Sequence, residues 1–236
     1  MLILAVDSAT PVAGVALSDG EKIIAEYSQN FKQVHSEKFM PMIDKCLKDC
    51  GCILKDLDAI AVTSGPGSFT GIRIGMATVK GLSLGSGVPL ISISTLEALA
   101  FNMVLSDYLV CPVLNARKNE VYAAAYDVSG VKPDILWGPA ACPPQVMADE
   151  TGKIAANHPG IVLLGDGFKP YQEIFRSSFG TRLREVPPHL MLPRAGSIAT
   201  LAAMKLKQGA LEDVHAIRPY YIRLSEAEYQ LGKEDK

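Results

Sequence analysis

The sequence predicts an α/β fold in two similar halves, and three observations predict it. Residues 58–103 read as strand, glycine loop, helix, strand and helix, the order of a largely parallel sheet with helices on its faces. The stretch YLVCPVLNARKNEVYAAAYDVSG then repeats the plan of LILAVDSATPVAGVALSDG, about 108 residues further on. In each, a buried strand ends at a polar residue (Asp7, then Asn115), the chain turns, returns through small and apolar residues and stops at a turn glycine (Gly20, then Gly130). Finally, 236 residues exceed the usual single-domain size of about 100–200, which predicts two domains, 1–105 and 106–236.

The elements follow in order. LILAVD is an apolar run closed by an acid, and VAGVALSDGEKIIAEY supplies two more strands joined at Asp19-Gly20, giving an antiparallel meander. In SEKFMPMIDKCLKDCG, Phe39, Met42, Ile43, Cys46, Leu47 and Cys50 fall at helical spacing and Gly51 is a stop. Pro41 lies inside that pattern, so the helix is expected to begin late or to bend there. DAIAVTSG reads as a strand, GPGSFTG as a loop, IRIGMATVKGLSLGSG as a helix and VPLISIS as a strand. STLEALAFNM follows as a helix capped by Ser94 or Thr95. In the second half WGPAACPPQVMADE reads as a proline-broken loop entering a helix, GIVLLGDG as a strand, and KPYQEIFRSSF and AGSIATLAAMKLKQG as helices. HAIRPYYIRLSEAEYQLGKEDK reads as an ordered arm that frays into a charged tail.

Composition excludes some classes of function. With 23 basic against 25 acidic side chains there is no global positive field to hold a nucleic-acid backbone, so tight RNA or DNA binding by the chain alone is not expected. The five cysteines are odd in number, and MLILAVD lacks the basic region of a secretory leader, which points to a reducing compartment. No apolar run approaches the roughly 18 residues of a membrane span, so a cytoplasmic setting is expected. Cys46, Cys50 and Cys52 stand close together, but Cys-x3-Cys-x-Cys is not a usual zinc spacing, and they read as small buried apolar residues.

The segment GPGSFTGIRIG carries the sharpest signal. It fails the Walker pattern, because Ile72 follows Gly71 where lysine should stand, and the dinucleotide pattern, because Thr70 takes the place of the third glycine. What remains is the chemistry of a strand-to-helix glycine loop, whose free amides attract an anion, with Asp7, Gly65, Gly67 and Ser68 as the contacts. Beyond it, Gly71, Gly75, Thr78, Gly81 and Gly85 form a small-residue stripe on one helix. Each interior glycine costs about 0.8–1.0 kcal/mol relative to alanine. Another backbone must approach closely in return, from inside the subunit or from a partner.

SGPGSFTGIRIGMATVKGL, with the AVDSAT start, STLEALA, NARKNEVYAAAY and the late YIR, resembles the tRNA threonylcarbamoyladenosine biosynthesis protein TsaB family. The resemblance spans most of the chain, dense to about residue 125 and thinner over 131–214. It implies two actin-like (ribonuclease H-like) domains of the sugar kinase, heat-shock protein and actin type. It also implies a non-catalytic partner of TsaD, the related subunit that transfers threonylcarbamoyl to the adenosine beside the anticodon, in a complex that includes the ATPase subunit TsaE. It implies a homodimer when alone, and a partner interface on the N-terminal helices, for which Phe39, Met42, Ile43 and Cys46 on one helix and Ile72, Gly75, Met76 and Val79 on the next are the candidates. No cofactor is expected for the chain by itself, with ATP and Mg belonging to the assembled complex. TsaD-like chains carry a His-x-x-x-His metal helix, and the corresponding positions here are Thr95 and Leu99. His35, His158, His189 and His215 include no pair four apart, and His35 reads as a helix-entry residue. The resemblance places Asp7 where actin-like ATPases position metal-bound water, with Asn115 at the matching place in the second half. A free-standing actin-like ATPase or phosphotransferase is the alternative reading, and the missing histidines oppose a metallopeptidase.

Overall fold

The first sheet grows from β1 (Ile3–Asp7), in which every residue is buried. β2 (Val12–Ser18) and β3 (Ile23–Asn30) extend it as antiparallel neighbours on one side. β4 (Ala59–Gly65) and β5 (Leu90–Ser94) extend it in parallel on the other, giving the order β3-β2-β1-β4-β5. The protein was analysed as a computed structural model describing residues 1–30 and 35–223, without the side chains of residues 35 and 36.

The second sheet repeats the plan with β6 (Leu109–Arg117), β7 (Glu120–Asp127), β8 (Asp134–Cys142), β9 (Ile161–Leu164) and β10 (Leu183–Arg184). Its order is β10-β9-β6-β7-β8, again a meander of three followed by two parallel strands. The repeat read from Asp7 and Asn115 is thus a repeat of sheet topology.

Helices cover the faces because alternate residues of a strand point to opposite sides. Leu4, Val6, Val15, Ile60 and Val62 face α1 (His35–Asp49) and α2 (Phe69–Ser86), which meet them with Phe39, Ile43, Cys46, Met76 and Val79. Burying one such large side chain stabilises the fold by about 1.5–3 kcal/mol. On the opposite face, Ile3, Ala5, Ala59 and Ala61 meet α6 (Ala195–Lys207) through Ile198, Ala199 and Ala202. In the second lobe α4 (Pro144–Ile154) and α5 (Gln172–Phe179) cover Leu109, Cys111 and Val113 with Met147, Phe175 and Phe179. α3 (Thr95–Ala100), capped by the Ser94 hydroxyl, fills the space between lobes, with Leu96 and Leu99 against Val110 and Leu114.

Three expectations are corrected. α1 runs unbroken through Pro41, which lies on its exposed side. Residues 137–142 belong to strand β8 rather than to a loop. β8 is an edge strand and Pro139 has no partner in its register with β7, so the proline removes no ladder bond there. The segment 106–236 is not one packing unit, because α6 returns to the first sheet, whose second face would otherwise be bare.

Candidate functional site: the cleft between the lobes

A cleft of about 690 Å³ opens between the lobes, and each wall carries a glycine loop docked beside a central strand. On the first wall a Cβ at Gly67 would collide with the Ala9 carbonyl, and that carbonyl accepts the Ser68 amide at 2.8 Å. Ser68 then caps α2, its Oγ accepting from Gly71 N at 3.2 Å. On the second wall Gly165 and Gly167 leave the same room beside Val113, whose carbonyl accepts the Gly167 amide at 3.0 Å. Asp166 stands between those glycines and accepts the Asn115 amide at 3.0 Å. Burial raises its pKa although that hydrogen bond pulls the other way.

Basic groups stand at the rim. The two-residue turn between β6 and β7 places Lys118 and Asn119 at φ 52° and 60°, as a type I′ hairpin requires, and brings Arg117 and Lys118 to the cleft. The arm after α6 closes one end. Tyr220 N donates to Ser64 O at 2.7 Å, and the Tyr221 ring stacks on Phe69 with centroids 4.9 Å apart while its hydroxyl accepts from Arg73 Nε at 2.9 Å. Arg223 then pairs with Glu120 and donates to Ala116 O across the cleft. The arm therefore touches both walls.

Of the four expected anion contacts, Gly67 and Ser68 line the cleft. Gly65, at φ 121°, is buried beneath the Tyr220 carbonyl. Asp7 is only 1% exposed. Its Oδ1 accepts from Thr63 Oγ1 at 2.5 Å and Ala9 N at 3.0 Å, its second oxygen has no partner, and burial raises its pKa. A carboxyl so sealed, with burial raising its pKa, is unsuited to holding a hydrated Mg ion.

The interface candidates need a correction of the same kind. Phe39, Ile43, Cys46, Ile72, Met76 and Val79 are at most 3% exposed, and Met42 packs against the same core. Gly75 is buried too, because a Cβ there would strike the Ser8 hydroxyl. Helical spacing located an apolar face correctly, but the chain's own sheet covers it. Gly71 likewise admits the Ser8 carbonyl, so half of the glycine stripe is explained inside the subunit. Gly81 and Gly85 are exposed, and a Cβ at either would meet nothing within 4 Å.

Leu99 lies in the core between the lobes, and the buried Thr95 hydroxyl has no partner. Among the described residues no group of three His, Cys, Asp or Glu side chains could hold a metal ion, and no helix is long and apolar enough to cross a membrane. The His35 side chain lies outside the described residues. Sequence reasoning missed Arg117, Lys118, Asp166 and Arg223 as cleft residues. The acid between two glycines in GIVLLGDG was the available signal for Asp166.

Two topologically matching lobes around a cleft define a protein of the duplicated actin-like class. The family model described as TsaD: tRNA N6-adenosine threonylcarbamoyltransferase matches residues 22–231. The tRNA threonylcarbamoyladenosine biosynthesis protein TsaB of Bacillus subtilis (strain 168) is 33% identical over 97% of this chain and 96% of its own. That of Escherichia coli (strain K12) is 30% identical over 99% and 100%. A crystal structure from Pseudomonas aeruginosa, of an uncharacterized protein with similarity to peptidase YEAZ, superposes with a TM-score of 0.79 at 26% identity, over 94% of this chain and 99% of that one. The chain belongs to the TsaB family.

Proposed function

We propose that the chain serves threonylcarbamoyladenosine formation on tRNA as a non-catalytic subunit that binds the catalytic homologue TsaD through the outer faces of α1 and α2. One observation carries the reading. Gly81 and Gly85 weaken α2 by about 0.8–1.0 kcal/mol each relative to alanine and admit nothing from the described residues of the chain. With exposed Ala77 and Leu84 they leave a flat, small-residue surface that a partner helix can approach closely, and Met40 is exposed on the neighbouring α1.

The same surface suits a second copy of the chain, so a homodimer and the TsaD complex compete for it. Catalysis belongs to the partner, since Thr95 and Leu99 replace the metal ligands and Asp7 is sealed. ATP and Mg enter with the assembled complex and its ATPase subunit TsaE. The formal charge of −2 agrees with tRNA being held by other subunits in the cytoplasm.

The test is an omission experiment on tRNA threonylcarbamoylation rebuilt from purified components, with Gly81→Arg and Leu84→Asp as interface variants. Modification is expected to require the chain, to fail when it replaces TsaD, and to fall with TsaD affinity in both variants while circular dichroism is unchanged. Full modification without the chain sinks the role, and undiminished affinity in both variants sinks the interface.

A further inference from the structure

α1 ends at Cys50, Gly51 and Cys52, where three thiols gather in a way the reading above does not use. Cys52 N donates to Leu47 O at 3.0 Å and Gly51 N to Lys48 O at 3.0 Å, the paired bonds of a Schellman stop with Gly51 at φ 66°. That turn folds Cys52 back over Cys50, so that its Sγ lies 3.4 Å from the Cys50 carbonyl oxygen. Both cysteines are half-buried, and the space beside Gly51 is open, with nothing within 4 Å of where a Cβ would stand.

We propose that Cys50 and Cys52 are an oxidation site, closing to an intramolecular disulfide across Gly51 when a small disulfide such as glutathione disulfide is the oxidant. Geometry selects this pair. Successive Cα atoms lie about 3.8 Å apart and the chain bends at Gly51, so the two Cα atoms fall about 5–6 Å apart, inside the range a disulfide spans. Cys46 lies in α1 and Cys50 one turn on, just past its end, with their thiols in hydrogen-bonding contact, but Cβ atoms at that helical spacing are about 5–6 Å apart against the roughly 3.8 Å a disulfide needs. Cys46 is buried as well, and burial pushes its thiol up to about 12.

The reaction balances as two exchanges. Burial raises the Cys50 thiol and makes it the poorer first attacker, so the Cys52 sulfur attacks the oxidant, forming a mixed disulfide and expelling one glutathione thiolate. The Cys50 sulfur then attacks Cys52 Sγ and expels the second. Two electrons pass from the cysteines to glutathione disulfide, and the two thiol protons end on the two glutathiones released. The inference does not depend on what the outer face of α2 binds.

Peptide mapping tests it on the full chain. Trypsin cuts after Lys45, Lys48 and Lys55, which places Cys46 alone in 46–48 and Cys50 with Cys52 in 49–55. After glutathione disulfide, denaturation and alkylation, peptide 49–55 is expected unalkylated and about 2 Da below its dithiol mass, reversibly with dithiothreitol, while 46–48 is alkylated. Cys50→Ser is expected to keep one glutathione, about 305 Da, on Cys52. A fully alkylated 49–55, a cross-link between 46–48 and 49–55, or a stable glutathione adduct on the unsubstituted chain would each overturn the proposal.

Discussion

The four glycines of α2 permit a matched experiment in which one substitution, glycine to alanine, changes sign along a single helix. At Gly81 an added methyl meets open space, so the intrinsic gain of about 0.8–1.0 kcal/mol is realised. For a chain of this length that raises Tm by about 2–4 °C. At Gly71 the new Cβ would come closer than 3.0 Å to the Ser8 carbonyl oxygen, a backbone atom that cannot rotate aside. Overpacking costs about 1–3 kcal/mol, and the Ser8 Oγ bond to Gly71 O, 2.8 Å long, adds about 1 kcal/mol if displaced. Against the helix gain the net loss is about 1–3 kcal/mol. Gly75→Ala lies between, because it strikes only the Ser8 hydroxyl, while Ser8 Cβ lies at 3.7 Å, an ordinary contact. Ser8→Ala should therefore rescue it, with a coupling of about 1 kcal/mol in the double-mutant cycle. Urea unfolding followed by circular dichroism reads all four, since the only tryptophan, Trp137, sits in β8 of the other lobe. Stabilisation by Gly71→Ala equal to that by Gly81→Ala, or a cycle without coupling, would refute the account of the stripe.

Asp7 gives a pH signature. Its folded pKa is raised, so the stability contributed by the neutral form is fully present below the unfolded value near 4 and is lost as pH rises through the folded value. Asp7→Asn should match the parent near pH 4 and gain on it toward pH 7, by about 1.4 kcal/mol for each unit of elevation. A deficit that does not vary with pH would show that the carboxyl is not the strained group. At the arm, Tyr221→Ala removes the stack on Phe69 and the Arg73 bond, and tryptic cleavage at Lys207, where the arm begins, should accelerate. Unchanged cleavage would mean that the arm is held by other contacts. Arg223→Glu faces Glu120 with a like charge, and Glu120→Arg in the same chain should restore the parent cleavage rate. A rate that the swap leaves unrestored argues against the pair.

Local chemistry made much of the fold readable. Ser68 and Ser94 announce their helices as caps, and Asp7 at the end of β1 and Asn115 near the end of β6 mark the start of the two matching meanders. β8 was misread because Gly138-Pro139 signals a turn unless one knows that the strand lies at an edge. The buried face of α1 was misread for a deeper reason. Phe39, Ile43 and Cys46 define an apolar stripe at helical period, and period alone does not say whether a sheet or a partner covers it. The cleft was the least legible part, since Arg223 reaches Glu120 across 103 residues and no local pattern records such a pair.

The two glycine loops occupy matching places in the two lobes. Both dock beside a central strand, and both need glycine where a carbonyl presses in, that of Ala9 just past β1 on Gly67 and that of Val113 within β6 on Gly165. Those contacts hold the lobes' shape and are indifferent to chemistry in the cleft. The acid at the end of β1, by contrast, points inward to Thr63 and Ala9, and β6 carries the amide Asn115 two residues before its end. Glycines at 67, 71, 75 and 165 leave room that the fold fills, while a Cβ at 81 or 85 would meet nothing within 4 Å among the described residues. A glycine that weakens its helix and leaves open space among the described residues is what a closely approaching partner would explain, which is the ground for the proposed interface on the outer face of α2.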